Sequence, residues 1–228
     1  TKIAFVYSMK SKSSEEVKEG FEAFLKKYHN HLPTDPSKQV RWHTDNGGEF
    51  TSSDLNEFLD EFAIKRSFSI PYAPPQNAQA ERMWGILLKH VRTMLAESGV
   101  HEKFWTYAME HACYLHNILS SSTLPNSITP TEALTGSPPE VSMLRVWGCV
   151  TWYMLPDHYR KSKLSPRAVP AVHLGMDPER KGYIVYVPHL NRITSAYHVT
   201  FQEHRFLVFD AEGVSNLPNT PKPLHDTL

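Results

Sequence analysis

Two stretches decide how this chain is read: Val40-Arg41-Trp42-His43-Thr44-Asp45-Asn46-Gly47-Gly48-Glu49-Phe50, and Pro71-Tyr72-Ala73-Pro74-Pro75-Gln76-Asn77-Ala78-Gln79-Ala80-Glu81-Arg82. In the first, a short β-branched and aromatic run ends in Asp-Asn-Gly-Gly, a strong turn signal, so Asp45 is predicted at the C-terminal end of a strand. In the second, prolines fix φ and remove amide donors, which excludes regular structure up to Asn77. A helical pattern opens at Ala78 and places Glu81 in its first turn. The residues between the two carboxylates, 46 to 80, number 35. A strand end and a helix start lying across one sheet can bring two carboxylates close, and carboxylate oxygens are what Mg²⁺ or Mn²⁺ prefers. A pair of such ions, about 4 Å apart, activates a water or a DNA 3′-hydroxyl for in-line phosphoryl transfer. Spacing by itself is weak evidence, because an Asp and a Glu so separated are far more often plain surface residues.

Working outward, Ile3 to Met9 is β-rich and is predicted as a strand. Ser13-Ser14-Glu15-Glu16 is a capping box, and Val17, Phe21, Phe24, Leu25 and Tyr28 then recur at helical spacing. From Ser53, Leu55, Phe58, Leu59 and Phe62 form one helical face, and Ala63 to Ile70 reads as the next strand, for an order βαβαβ. After the proline loop, Met83, Leu87, Val91, Met94 and Leu95 make the apolar stripe of a helix from Ala78 to about Glu97, which Ser98-Gly99 ends. A further helix spans about 101 to 119, with Trp105, Tyr107 and Tyr114 assigned to core packing. From Arg145 the pattern changes to short aromatic strands, predicted at 146–155, 171–175, 182–187, 192–198 and 206–209, which suits a small SH3-like barrel. Trp147, Trp152 and Tyr153 are assigned to its core.

Composition sets outer limits. The 228 residues carry Lys+Arg 24 against Asp+Glu 24, with 13 His, 17 Pro and 40% hydrophobic residues, so a globular chain is expected rather than a disordered polyelectrolyte. Zero net charge gives no general nucleic-acid signal, although balanced totals can hide a local basic patch. No apolar run reaches the roughly 18 residues of a membrane span, so no membrane partner is expected. Thr1 opens inside a strand pattern, without a signal peptide, which reads as a fragment. Cys113 and Cys149 lack ligand spacing and are read as packed thiols. His29-Asn30-His31, with no partner nearby, is read as a solvated helix end.

The blocks His43 to Phe50 and Pro71 to Arg82 together resemble the second and third motifs of the D,D-35-E retroelement integrases. Within that family the Ty1/copia lineage is the nearest. The resemblance continues through Met9-Lys10-Ser11-Lys12-Ser13, Arg92-Thr93-Met94-Leu95, Pro130-Thr131-Glu132-Ala133-Leu134-Thr135-Gly136, Arg145-Val146-Trp147-Gly148-Cys149, His173-Leu174-Gly175 and Val199-Thr200-Phe201-Gln202-Glu203. It implies an α/β RNase H-like catalytic core, N-terminally truncated with its first two strands missing, followed by the SH3-like barrel of copia-type Pol polyproteins. The corresponding boundaries are 1–136 for the partial core, 137–144 for a linker, 145–209 for the barrel and 210–228 for a linker or disordered tail.

Carried over residue by residue, Asp45 and Glu81 become the second and third catalytic metal carboxylates, binding Mg²⁺ or Mn²⁺. The first would precede Thr1, and Asp35, in a proline-flanked loop, is a poor substitute because no rigid shell holds it. The isolated fragment is therefore expected to be inactive, whereas the parent would carry out 3′-end processing and strand transfer on DNA. The resemblance also implies a homo-oligomer on retroelement and target DNA, acting in the nucleus after a virus-like particle and cytoplasmic stage. Tyr72, Gln76 and Asn77 are candidate DNA contacts in the loop, and Arg82, Lys89 and Arg92 on the helix. Two residues depart from the family pattern: Ala78 follows Asn77 where Gly is common, and Gly85 stands where a basic residue is frequent. Two other readings are a non-enzymatic nucleic-acid-binding or interaction module, as in a decayed or domesticated copy, and an RNase H-fold nuclease.

Overall fold

The structure is a computed structural model and describes residues 1–32, 40–45, 47–70, 78–159, 162–177, 179–210 and 215–216. The chain forms two compact units, one comprising residues 1–86 and 117–139, the other 87–116 and 140–228.

In the first unit, helix α1 (Ser14–Tyr28) starts as its capping box dictates: the Ser13 hydroxyl accepts the Glu16 amide. The Glu16 carboxylate turns away from Ser13 and accepts the amides of Lys10 and Ser11, tying the preceding chain to the helix start. Strand β1 (Arg41–Thr44) pairs in parallel with β2 (Lys65–Phe68), with Trp42 opposite Arg66 and Thr44 opposite Phe68. A parallel pair needs a crossover, and helix α2 (Ser53–Glu61), capped by the Ser52 hydroxyl, supplies it. Val17 and Leu25 of α1 close a core with Leu55, Phe58 and Leu59 of α2 and with Ile64. Phe62, expected on the same face, is exposed because the helix ends at Glu61 and the chain turns out of it.

Ile3 to Met9, predicted as a strand, enters no β-ladder among the described residues. Ala4 is held by a side chain instead. The Asn117 carboxamide accepts the Ala4 amide and donates to the Ala4 carbonyl, both at 2.8 Å, imitating the two bonds a neighbouring strand would make. The Phe5 ring packs on Phe24 and Tyr28, so the segment is anchored by packing rather than by pairing.

Helix α3 (Ala78–Ser98) ends where predicted: Gly99 adopts φ 64° and its amide returns to the Leu95 carbonyl. In the second unit α3 buries Leu87 and Val91, and helix α4 (Trp105–Ile118), entered through a 3₁₀ turn at Glu102–Phe104, buries Ala108, Met109, His111, Ala112 and Cys113. Trp105, assigned to the core from sequence, is 47% exposed. The buried stripe runs through Phe104, Ala108 and Ala112, and Trp105 lies about 100° around the helix from Phe104. Tyr107 and Tyr114 are half-buried. The short helix α5 (Pro130–Thr135) belongs to the first unit, with Thr129 as its cap and Gly136 left-handed at its end.

Strands β3 (Cys149–Met154), β4 (Ala168–Met176), β5 (Tyr183–Val187), β6 (Arg192–Ala196) and β7 (Val199–Phe206) form one antiparallel sheet in the order β6-β5-β4-β3-β7. A small ladder of β8 (Val208–Phe209) and β9 (Ser215–Asn216) follows. Ala171, Tyr183, Val185, Val187 and Ala196 make its core. Trp147 is buried as expected, its indole N–H on the Leu174 carbonyl at 2.9 Å, whereas Trp152 and Tyr153 are half-buried. The sequence reading starts its last strand only at Phe206 and so misses β7. Gln202, Glu203, His204 and Arg205 hide the alternation there, and an edge strand beside β3 tolerates them because one of its sides faces water.

Gly148, just before β3, has φ 79°, and a Cβ there would lie 2.4 Å from the Ser98 Cβ and 3.1 Å from Val100. Gly148→Ala is therefore expected to destabilise the second unit by about 2–4 kcal/mol, combining a left-handed backbone with a clash against a Cβ that cannot rotate away. A melting temperature equal to that of the parent chain would contradict this packing.

Candidate active site

Asp45 follows directly on β1, where the Thr44 carbonyl is taken by the Ser69 amide at 2.8 Å. Its Oδ1 accepts the Gly47 amide at 3.2 Å, the side-chain turn that Asp favours at a strand end. The chain then makes a 3₁₀ turn, Gly48–Phe50. Glu81 stands in the first turn of α3, where free amides favour an anionic side chain. Both carboxylates are exposed and lie in the first unit. Oxygen donors of this kind suit a hard divalent cation. Among the described residues, no group of three or more His, Cys, Asp or Glu side chains is placed to hold a metal. Asp35 lies outside the described residues, as do Tyr72, Gln76 and Asn77. Arg82, Lys89 and Arg92 are all exposed along α3.

Several residues around Asp45 carry no signal in the sequence. On the strand pair, His43 bridges two hydroxyls, with Nδ1 2.9 Å from Ser67 Oγ and Nε2 3.1 Å from Ser69 Oγ. Arg66 donates one guanidinium nitrogen to the Phe50 carbonyl and another to Asn56 Oδ1, and lies over the rings of Trp42 and Phe68. Burial lowers its pKa from the ordinary value. An arginine in a strand is unremarkable until the register places it opposite Trp42.

The second unit holds buried titratable groups that the sequence reading left without a role. His111 and His173 are both buried, their rings edge to face at 5.9 Å. His173 Nδ1 lies 3.1 Å from the Val146 carbonyl, while His111 Nδ1 and His173 Nε2 find no hydrogen-bond partner among the described residues. Burial, with His173 close by, pushes the His111 pKa down to about 3, and burial lowers that of His173. Cys113 and Cys149 are buried thiols outside any disulfide, and burial pushes Cys149 up to about 12, far from the reactive thiolate range. Lys163, Arg167, Arg180 and Lys181 are exposed. No helix among the described residues is long and apolar enough to cross a membrane.

The antiparallel sheet of the second unit defines a class. Residues 149–213 match the family model described as the retroviral polymerase SH3-like domain. Relatives cover far more of the chain. Over 200 residues, 87% of its length, it is 30% identical to the retrovirus-related Pol polyprotein from transposon TNT 1-94 of Nicotiana tabacum. It is 30% identical over 206 residues, 90% of its length, to that from transposon RE1 of Arabidopsis thaliana, and 27% identical over 192 residues, 84%, to the transposon Ty1-LR3 Gag-Pol polyprotein of Saccharomyces cerevisiae. Its homologues are thus the Pol polyproteins of retrotransposons. The chain spans 14%, 13% and 10% of the length of these three.

Its neighbours among solved structures include an intasome and integrase catalytic core domains. One is the simian T-cell lymphotropic virus intasome in complex with PP2A regulatory subunit B56 gamma, at 19% identity and TM-score 0.46, covering 83% of this chain and 63% of that one. Another is the HTLV-2 integrase catalytic core domain in complex with magnesium, in its trimeric form, at 22% identity and TM-score 0.44, covering 57% and 74%.

Proposed function

We propose that this chain is part of a polynucleotidyl transferase that integrates retrotransposon DNA, by 3′-end processing and strand transfer, with Asp45 and Glu81 as two of its metal carboxylates. The observation that carries the reading is the placement of Asp45 at the end of β1 and Glu81 in the first turn of α3, within a chain homologous to Pol polyproteins. Asp45 and Glu81 would hold Mg²⁺ or Mn²⁺, which would supply activation of the attacking hydroxyl and neutralisation of the leaving oxygen. The protein's own residues do the rest. Gly47 orients the Asp45 carboxylate through its amide, and the open end of β1 leaves that carboxylate accessible to a nucleic-acid backbone.

Arg82, Lys89 and Arg92 lie exposed along one helix and supply phosphate contacts, with Tyr72, Gln76 and Asn77, just before it in sequence, as substrate contacts. The partial catalytic core then comprises residues 1–136, joined through 137–144 to the barrel at 145–209. On this reading the partner is DNA, the protein acts as a homo-oligomer on the DNA ends, and the reaction takes place in the nucleus. The test is a joining assay with a polypeptide containing this chain, a labelled DNA 3′ end and a target duplex. Joining is expected to require Mg²⁺ or Mn²⁺ and to stop on chelation. Joining at an undiminished rate without a divalent cation would overturn the reading.

A further inference from the structure

We propose that Arg66 is a positioning residue for Asp45: its guanidinium fixes the turn behind the carboxylate and so sets the direction in which Asp45 offers its oxygens to a divalent cation. This rests on the reading of Asp45 as a metal ligand given above. Arg66 stands opposite Trp42 in the β1–β2 register, three residues before Asp45. One guanidinium nitrogen donates to the carbonyl of Phe50, the last residue of the 3₁₀ turn, and the other to Asn56 Oδ1 on α2. The guanidinium also lies over two rings, its centre 4.6 Å from that of Phe68 and 5.7 Å from that of Trp42. Trp42 also meets the Phe50 ring edge-on at 5.8 Å.

From there the connection to the carboxylate is short. The Phe50 amide donates to the Gly47 carbonyl at 3.0 Å, and the Gly47 amide donates to Asp45 Oδ1 at 3.2 Å. Three hydrogen bonds through one turn therefore join the guanidinium to the candidate ligand. Both acceptors of Arg66 are neutral, so the half-buried cation gains no ion-pair energy to offset its desolvation. What the arrangement does provide is orientation: a planar fork reaching two acceptors on different elements, which a lysine ammonium cannot reproduce.

The test titrates the ¹⁵N-labelled chain with Mn²⁺ and reads paramagnetic broadening of the Gly47 and Gly48 amide signals, with the signals of α1 and α2 reporting folding. Arg66→Lys and Arg66→Met are expected to need about tenfold more Mn²⁺ for half-maximal broadening, the scale of losing a residue that orients a ligand. Asn56→Ala, which leaves Arg66 and its Phe50 bond in place, should shift the midpoint in the same direction by less, and it carries the test if Arg66→Met fails to fold. Asp45→Asn is the control and should lose the response. If Asp45→Asn is broadened like the parent, the metal-ligand reading itself fails. If Asp45→Asn loses the response while folded Arg66→Lys and Asn56→Ala keep the parent midpoint, Arg66 is merely structural and the proposal is overturned. Restoration of the parent midpoint by lysine alone would overturn it too, since charge rather than the fork would then suffice.

Discussion

Glu81→Gln, introduced into a polypeptide containing this chain that joins DNA as proposed above, is expected to lower the joining of a DNA 3′-hydroxyl to target DNA by about 10²–10³-fold or more, the scale of losing one electrostatic stabiliser of a transition state. Glutamine keeps the shape of the side chain in the first turn of α3 but loses the charge that offsets a divalent cation. DNA binding should change by less than about twofold, because the phosphate contacts proposed above are cationic side chains such as Arg82 and Arg92, which the substitution leaves in place. The two readouts separate the possible failures. Joining at the parental rate would remove Glu81 from the metal site, and equal loss of binding and joining would place Glu81 in substrate contact or folding instead.

Acidification is expected to weaken the second unit through His111 and His173. An ordinary histidine titrates near 6.5, whereas folded His111 sits at about 3, so between those values the unfolded chain takes up a proton that the folded one excludes. The stabilisation from keeping the imidazole neutral is complete above about pH 6.5 and is lost as pH falls towards 3. The slope reaches about 1.4 kcal/mol per pH unit for each such group, or roughly 3 kcal/mol by pH 4 for His111. His173, also lowered by burial, adds in the same direction. Urea midpoints between pH 5 and 6.5, above the range of ordinary carboxylates, measure the effect most cleanly. His111→Leu should flatten the slope there, and a parent chain equally stable at pH 5 and 6.5 would show that these imidazoles are not held neutral in its core.

Much of the local structure was legible because it is written in short-range chemistry. The Ser13 cap, the Gly99 stop, the strand ending at Asp45 and the helix opening before Glu81 each depend on residues within one turn of one another. The packed state of Cys113 and Cys149 followed from their lack of ligand spacing. The SH3-like region announced itself through turn residues and aromatic strands, and residues 149–213 match the corresponding family model. Where the sequence reading went astray, the deciding partner was distant. Polar residues hid β7 until β3 lay beside it, and Trp105 was drawn outward by a stripe that only the packed helix reveals.

The sequence by itself determined the two carboxylates, their positions on strand end and helix start, and the kind of cation that oxygen donors suit. Tertiary structure alone decided which distant residues meet. Arg66 meets Phe50 across 16 residues and Asn56 across 10, Asn117 meets Ala4 across 113, and His111 lies against His173. The physical reason is the same in each case. Capping and turn formation satisfy backbone groups locally, so residue type and spacing suffice to foretell them. A guanidinium fork, a carboxamide standing in for a strand or a buried imidazole is specified only when folding brings its acceptor, or the absence of one, to it.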